Sequence, residues 1–169
     1  MTSPTLTTTE IENYASRFSE ILARLVKENG RPVSTLVFFP KGGCFNASRL
    51  FCAFRSEIRF TATQVTGDPI GKFTKSQHGW IVFDNSSGKG VIDLTCEQFD
   101  DCDLPCPFVS ETSHWHDERW QIVERKLVSR KDLTNENLAE PELDYLNEIL
   151  SEMGISKQSP EHGVSSLVR

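Results

Sequence analysis

No apolar run in the 169 residues approaches the roughly 18–20 consecutive residues that a bilayer-spanning helix needs, so no membrane role is expected. The opening stretch, Met1 to Thr9, has neither a basic segment nor an apolar one behind it. It therefore does not read as a secretion signal, and a cytoplasmic setting is expected, with leaderless export left open. Basic residues are also short: 18 Lys and Arg stand against 24 Asp and Glu, and the net charge of −6 argues against nucleic acid as a partner. Five cysteines make an odd count, which suits reduced thiols with one of them reactive rather than a disulfide framework. There is no internal repeat, no low-complexity tract and no pattern that asks for a cofactor, and nothing fixes an oligomeric state.

What is present suits one globular domain. Hydrophobic residues make up 37% and charged residues 25%, and eleven Phe and three Trp supply large core pieces. Residues 1–8 form a Ser/Thr/Pro arm, 9–154 a single domain and 155–169 a tail. Thr9 with Glu12 suggests a capping box. Behind it, Ile11, Tyr14, Ala15, Phe18, Ile21, Leu22, Leu25 and Val26 recur at helical spacing, until Asn29-Gly30 and Pro32 stop the helix. Val33 to Phe39 reads as a buried strand, with Phe38-Phe39 in the core. Cys44 to Arg55 reads as a second helix, and Arg59 to Val65 as a strand ended by a Gly67-Asp68-Pro69 turn. His78 to Asp84 and Gly90 to Thr95 form a hairpin across Asn85-Ser86-Ser87-Gly88-Lys89. Residues 96–118 look irregular. Trp120 to Val128 suits a further strand, and Pro141 opens a last amphipathic helix that Gly154 ends.

A thiol nucleophile needs a lowered pKa, a base beside it and a group that orients the base. Cys44 follows Gly42-Gly43 at a helix N-terminus, where partial positive charge and free N–H groups favour thiolate. Those N–H groups and the Gly43 backbone can also receive an oxyanion. A tight turn at Asn85-Ser86 would put His78 directly across from Asp93, on one face with Trp80, Val82 and Val91. Ile81, Phe83, Ile92 and Leu94 would take the other face.

The segments Gly-Gly-Cys-Phe-Asn-Ala-Ser at 42–48, Gln-His-Gly-Trp-Ile-Val-Phe at 77–83 and Gly-Val-Ile-Asp-Leu-Thr at 90–95 resemble the papain-like and transglutaminase-like cysteine enzyme superfamily. The gaps of 34 residues from Cys44 to His78 and 15 from His78 to Asp93 also look like that group and like arylamine N-acetyltransferases. The resemblance covers residues 35–100. It implies an α+β fold with helices packed on an antiparallel sheet, and a Cys44–His78–Asp93 triad acting on an amide or thioester carbonyl, with a protein or peptide as substrate. No second oxyanion side chain is evident; Gln77 and Gln64 are the candidates, and Trp80 is a candidate substrate contact.

Two readings compete. The same fold can serve as a non-catalytic interaction module of the inhibitor or immunity type. Alternatively, Cys96, Cys102, Cys106, His114 and His116 can hold zinc in a small binding domain, although their spacing lacks paired Cys-x-x-Cys knuckles. Cys52 reads as packing or partly exposed, Trp115 and Trp120 as a core plug or cleft wall, and His162 as a tail residue without a partner.

Overall fold

The computed structural model describes residues 6–29, 39–58, 60–72, 76–85, 88–133 and 141–155. In chain order the elements are α1 (Thr8–Asn29), α2 (Cys44–Ile58), β1 (Thr61–Pro69), β2 (His78–Asn85), β3 (Gly88–Asp93), β4 (Phe108–Ser110), α3 (His114–Asp117), β5 (Trp120–Lys126) and α4 (Pro141–Glu152). The five strands form one sheet in the order β4-β3-β2-β1-β5, and every neighbouring pair is antiparallel. The chain is thus α+β, as expected. No described helix is long and apolar enough to cross a membrane.

Helix α1 is capped two residues earlier than the Thr9–Glu12 reading. Thr7 is the cap: its N–H donates to the Glu10 carboxylate at 2.7 Å, and the Glu10 N–H donates to Thr7 Oγ1 at 3.2 Å. Three successive threonines and two glutamates make the pattern degenerate. The chosen register sets Leu6 and Ile11 on either side of the cap, both against the core, which is a staple arrangement.

Strand alternation divides the sheet into two apolar layers. Ala62, Ile81, Phe83, Ile92 and Leu94 face α1, α2 and α4 in the larger core, where Phe18 meets Phe51 and Phe54 at ring separations of 4.9 and 5.3 Å. The opposite face carries Val65, Trp80, Val91 and Trp120, with Val82, Phe99, Phe108, Trp115 and Ile122 against them. The two faces expected of the hairpin are the two faces found.

Several expectations need correction. The hairpin pairs Ile81 with Ile92, Val82 with Val91 and Asn85 with Gly88, so the turn lies one residue later than Asn85-Ser86 and His78 is not directly opposite Asp93. Gly67-Asp68-Pro69 does not turn the chain but continues β1, and the turn follows at Gly71, whose φ is 69°. Gly67 serves close approach instead: a Cβ there would sit 2.6 Å from both Trp120 Cβ and Trp80 Cη2. Residues 96–118 are not irregular throughout. They contain a 3₁₀ turn at Cys96–Gln98, the edge strand β4 paired with β3, and the short α3. Of the strand expected at Val33 to Phe39, residues 33–38 lie outside the described residues, and Phe39 stands in a turn, partly buried against the core. The tail and its His162 also lie outside them, from residue 156 onward.

Candidate active site

Cys44 is the first residue of α2. The Gly43 carbonyl accepts the Ala47 N–H at 2.8 Å, which makes Gly43 the cap and leaves the N–H groups of the first turn without helical partners. Three contacts hold this start of the helix, two from the sheet and one from α4. Ser48 Oγ donates to the Gly79 carbonyl at 3.1 Å, Gln64 Nε2 donates to the Phe45 carbonyl at 2.8 Å, and Asn46 Nδ2 donates to Glu142 of α4 at 2.8 Å. Phe45 lies directly on Gly79, where a Cβ would come within 2.8 Å of its ring. A glycine after His78 is therefore what lets the helix end reach the strand that carries the histidine.

The three sequence candidates meet here. His78 Nε2 stands 2.7 Å from Asp93 Oδ2, and the Cys44 thiol lies close enough to the same imidazole for each to shift the other's proton affinity. Because the β2–β3 ladder is offset, His78 and Asp93 face each other diagonally, a separation that an imidazole can bridge. Burial alone would push the Cys44 thiol up. The imidazole of His78 outweighs it, helped by the backbone N–H groups of Gly79 and Phe45, and the thiol lies below its ordinary range. Burial would likewise depress His78, yet Asp93 and then Cys44 raise it to about 9. Burial opposes the Asp93 charge as well, but His78 and His116 hold the carboxyl well below the usual carboxylate range. Trp80, Phe99 and Trp120 surround the His78 ring with centroids 4.9–5.7 Å away, and such a dry setting strengthens each of these interactions.

Two residues join the site unforeseen. His116, from α3, brings its Nε2 to within 2.9 Å of the same Asp93 Oδ2, so one carboxylate oxygen serves two buried imidazoles. Asp93 Oδ1 accepts the Thr95 N–H at 2.9 Å. Gln98 is the second: its Oε1 accepts the Gly42 N–H at 3.2 Å, while its Nε2 lies 3.2 Å from His78 Nδ1 and 3.2 Å from Thr95 Oγ1.

The oxyanion candidates fare differently. Gln64 is spent on the Phe45 carbonyl, and Gln77 donates to Asp68 Oδ1 at 2.6 Å on the surface, so neither offers its amide to Cys44. Trp80 is almost wholly buried and stacks on His78 as a wall rather than a substrate contact. Gly43 keeps its place as the cap immediately before Cys44.

The suggested zinc cluster separates into different environments. His116 is committed to Asp93, and His114 is exposed. Cys96 donates to the Pro105 carbonyl at 3.4 Å and Cys106 to the Leu94 carbonyl at 3.3 Å. Cys52 is fully buried, as packing. A different trio, His78, Asp93 and His116, has ligand atoms within 4.8 Å of one another. Its nitrogens point at the carboxylate oxygen as hydrogen bonds at 2.7 and 2.9 Å, whereas zinc sits about 2.0–2.2 Å from each ligand atom, between them. Treatment with a strong chelator is thus expected to leave the melting temperature unchanged. One tightly held zinc per chain, with unfolding on its removal, would refute that.

No family model, curated protein or solved structure matches the chain.

Proposed function

We propose that the chain is a thiol-dependent hydrolase or acyl transferase acting on amide bonds of a protein or peptide, built on a papain/transglutaminase-like version of its α+β fold. One observation carries the reading: a cysteine at a helix N-terminus is electrostatically coupled to an imidazole whose Nε2 is held 2.7 Å from a buried aspartate. In the reaction, Cys44 Sγ bonds to the substrate carbonyl carbon and the carbonyl π pair moves onto oxygen. Collapse of that intermediate breaks the C–N bond, and His78 gives its proton to the departing amine, leaving a thioester on Cys44. Water or a second amine then attacks the thioester, His78 takes the proton, and the thiolate departs. Asp93 keeps the imidazole aligned and stabilises its charged form.

Labelling with limiting iodoacetamide at about pH 6.5 tests the nucleophile. Cys44 should react roughly tenfold faster than Cys52, Cys96 and Cys102. Burial pushes Cys52 up to about 12 and also raises Cys102; proximity to Cys106, then burial, raises Cys96. Cys106 is the competitor, since the neighbouring Cys96 pulls it down and it is only half-buried. His78→Ala must slow labelling of Cys44 and leave Cys106 alone. If Cys44 stays inert while Cys106 reacts, the nucleophile is misassigned.

The interaction module remains the second reading, favoured by burial: Cys44 is 5% exposed and His78 0%.

A further inference from the structure

The side chain of Gln98 occupies the one ring atom that the proposed chemistry must keep free. His78 Nε2 belongs to Asp93, so Nδ1 is the nitrogen that must trade a proton with Cys44. Gln98 Nε2 stands 3.2 Å from that Nδ1. The orientation of the carboxamide follows from its other partner. The Gly42 N–H is a donor and requires the oxygen end, 3.2 Å away, which turns the NH₂ end toward His78 and Thr95 Oγ1. An NH₂ group can donate to Nδ1 only when Nδ1 carries no proton. The contact therefore belongs to neutral His78 and protonated Cys44, not to the imidazolium–thiolate pair. Reversing the carboxamide would suit the imidazolium but set an NH₂ against the Gly42 N–H, donor against donor.

We propose that Gln98 is a positioning residue whose contact with Nδ1 biases the pair toward its neutral thiol–imidazole form, against the pull of Asp93, and that its displacement from Nδ1 raises the share of the reactive ion pair. The inference rests on the Cys44–His78 reading and deepens it by naming what regulates that pair. Gln98 is placed for such a role. It sits in the 3₁₀ turn Cys96–Gln98 directly after Asp93 and Thr95, half-buried, with Phe99 edge-on to the His78 ring at 4.9 Å. Cys44 and His78 are buried, whereas Gln98 beside them is partly exposed. A substrate that accepts the Gly42 N–H in its place would free Gln98 and switch the pair on in the same movement. Among the described residues, the titratable side chains facing His78 are Cys44 from α2, Asp93 from β3 and His116 from α3. None of these is altered by changing Gln98.

The test compares Cys44 alkylation by iodoacetamide at about pH 7 with that at about pH 10, where the thiol is largely ionised in every variant that keeps His78. The ratio of the two rates reports the thiolate fraction and cancels any gain in access, which would raise both rates alike. Gln98→Met keeps the length and removes the donor. It should raise the ratio about two- to tenfold, the span that one net hydrogen bond is worth. The ultraviolet thiolate absorbance, with Cys44→Ala in the same background as blank, should rise in step. Gln98→Ala must move the ratio in the same direction, which covers the case in which the methionine variant does not fold. An unchanged or lower ratio overturns the inference, provided that His78→Ala still lowers it in the wild-type chain. If His78→Ala leaves the ratio untouched, the thiol–imidazole pair itself fails, and the proposed function with it.

Discussion

Cys44→Ala is expected to reduce amide-bond chemistry by about 10³-fold or more while leaving the fold intact. The assay offers a peptide library together with a labelled primary amine. Mass spectrometry then separates new termini from hydrolysis, glutamine-to-glutamate conversion from deamidation, and amine incorporation from transfer, so one experiment reads all three outcomes. The fold should survive because Cys44 is the first residue of α2, anchored by Ser48, Gln64 and Asn46 rather than by its own side chain. His78→Ala should fall nearly as far, since the thiolate loses its partner and the departing amine its acid. The double variant should be little worse than the poorer single one, because residues that act as a unit are strongly non-additive. Full retention of biological effect by Cys44→Ala would make the chain an interaction module and reduce the resemblance to a matter of fold.

Cys44, His78 and Asp93 were legible because each depends on local chain logic. A Gly-Gly pair before an amphipathic run marks a helix start, and residue parity along two adjacent strands puts His78 and Asp93 on one face whatever the exact turn. The offset found in β2–β3 is two residues against the anticipated pairing, and an even offset preserves the face. Gln64 shows the same rule being missed. It pairs with Ile81 in β1–β2 and so shares the face of Ile81, away from His78, which is why it reaches α2 instead. His116 and Gln98 left no periodic signal, since α3 has four residues and the 3₁₀ turn three. The one available clue was Asp93-Leu94-Thr95. An aspartate that accepts the N–H two residues on turns the chain back over its own side chain, and that turn delivers Gln98 to the imidazole.

Asp93→Asn should be the most destabilising conservative change in the site, by about 3–5 kcal/mol at its worst, because it breaks a fully buried charge arrangement from one side. The carboxylate accepts on both oxygens: Thr95 N–H on Oδ1, and two imidazole Nε2–H groups on Oδ2. An asparagine must turn its NH₂ toward one of these sets. Facing the histidines, it forces both Nε2 atoms to become acceptors, which moves the His78 proton to Nδ1 without a carboxylate to stabilise the imidazolium. Activity should therefore fall along with stability. The pH dependence carries the sharper test. Asp93 is held below its unfolded value, so its contribution is present above about pH 4 and is lost as pH falls through the native value. His78 is raised to about 9. Its contribution is complete below the unfolded value of about 6.5 and drains away as pH rises through the native one. The wild-type advantage over Asp93→Asn in urea unfolding should thus be largest between about pH 4 and 6.5 and shrink on both sides. In the variant, His78 is buried without a counter-charge, so its stability should climb with pH up to about 6.5 and level off above it, where the wild type begins to lose. A difference between the two proteins that stays constant from about pH 3 to 9 would show that Asp93 supports the site through shape alone, with no charge coupling to His78.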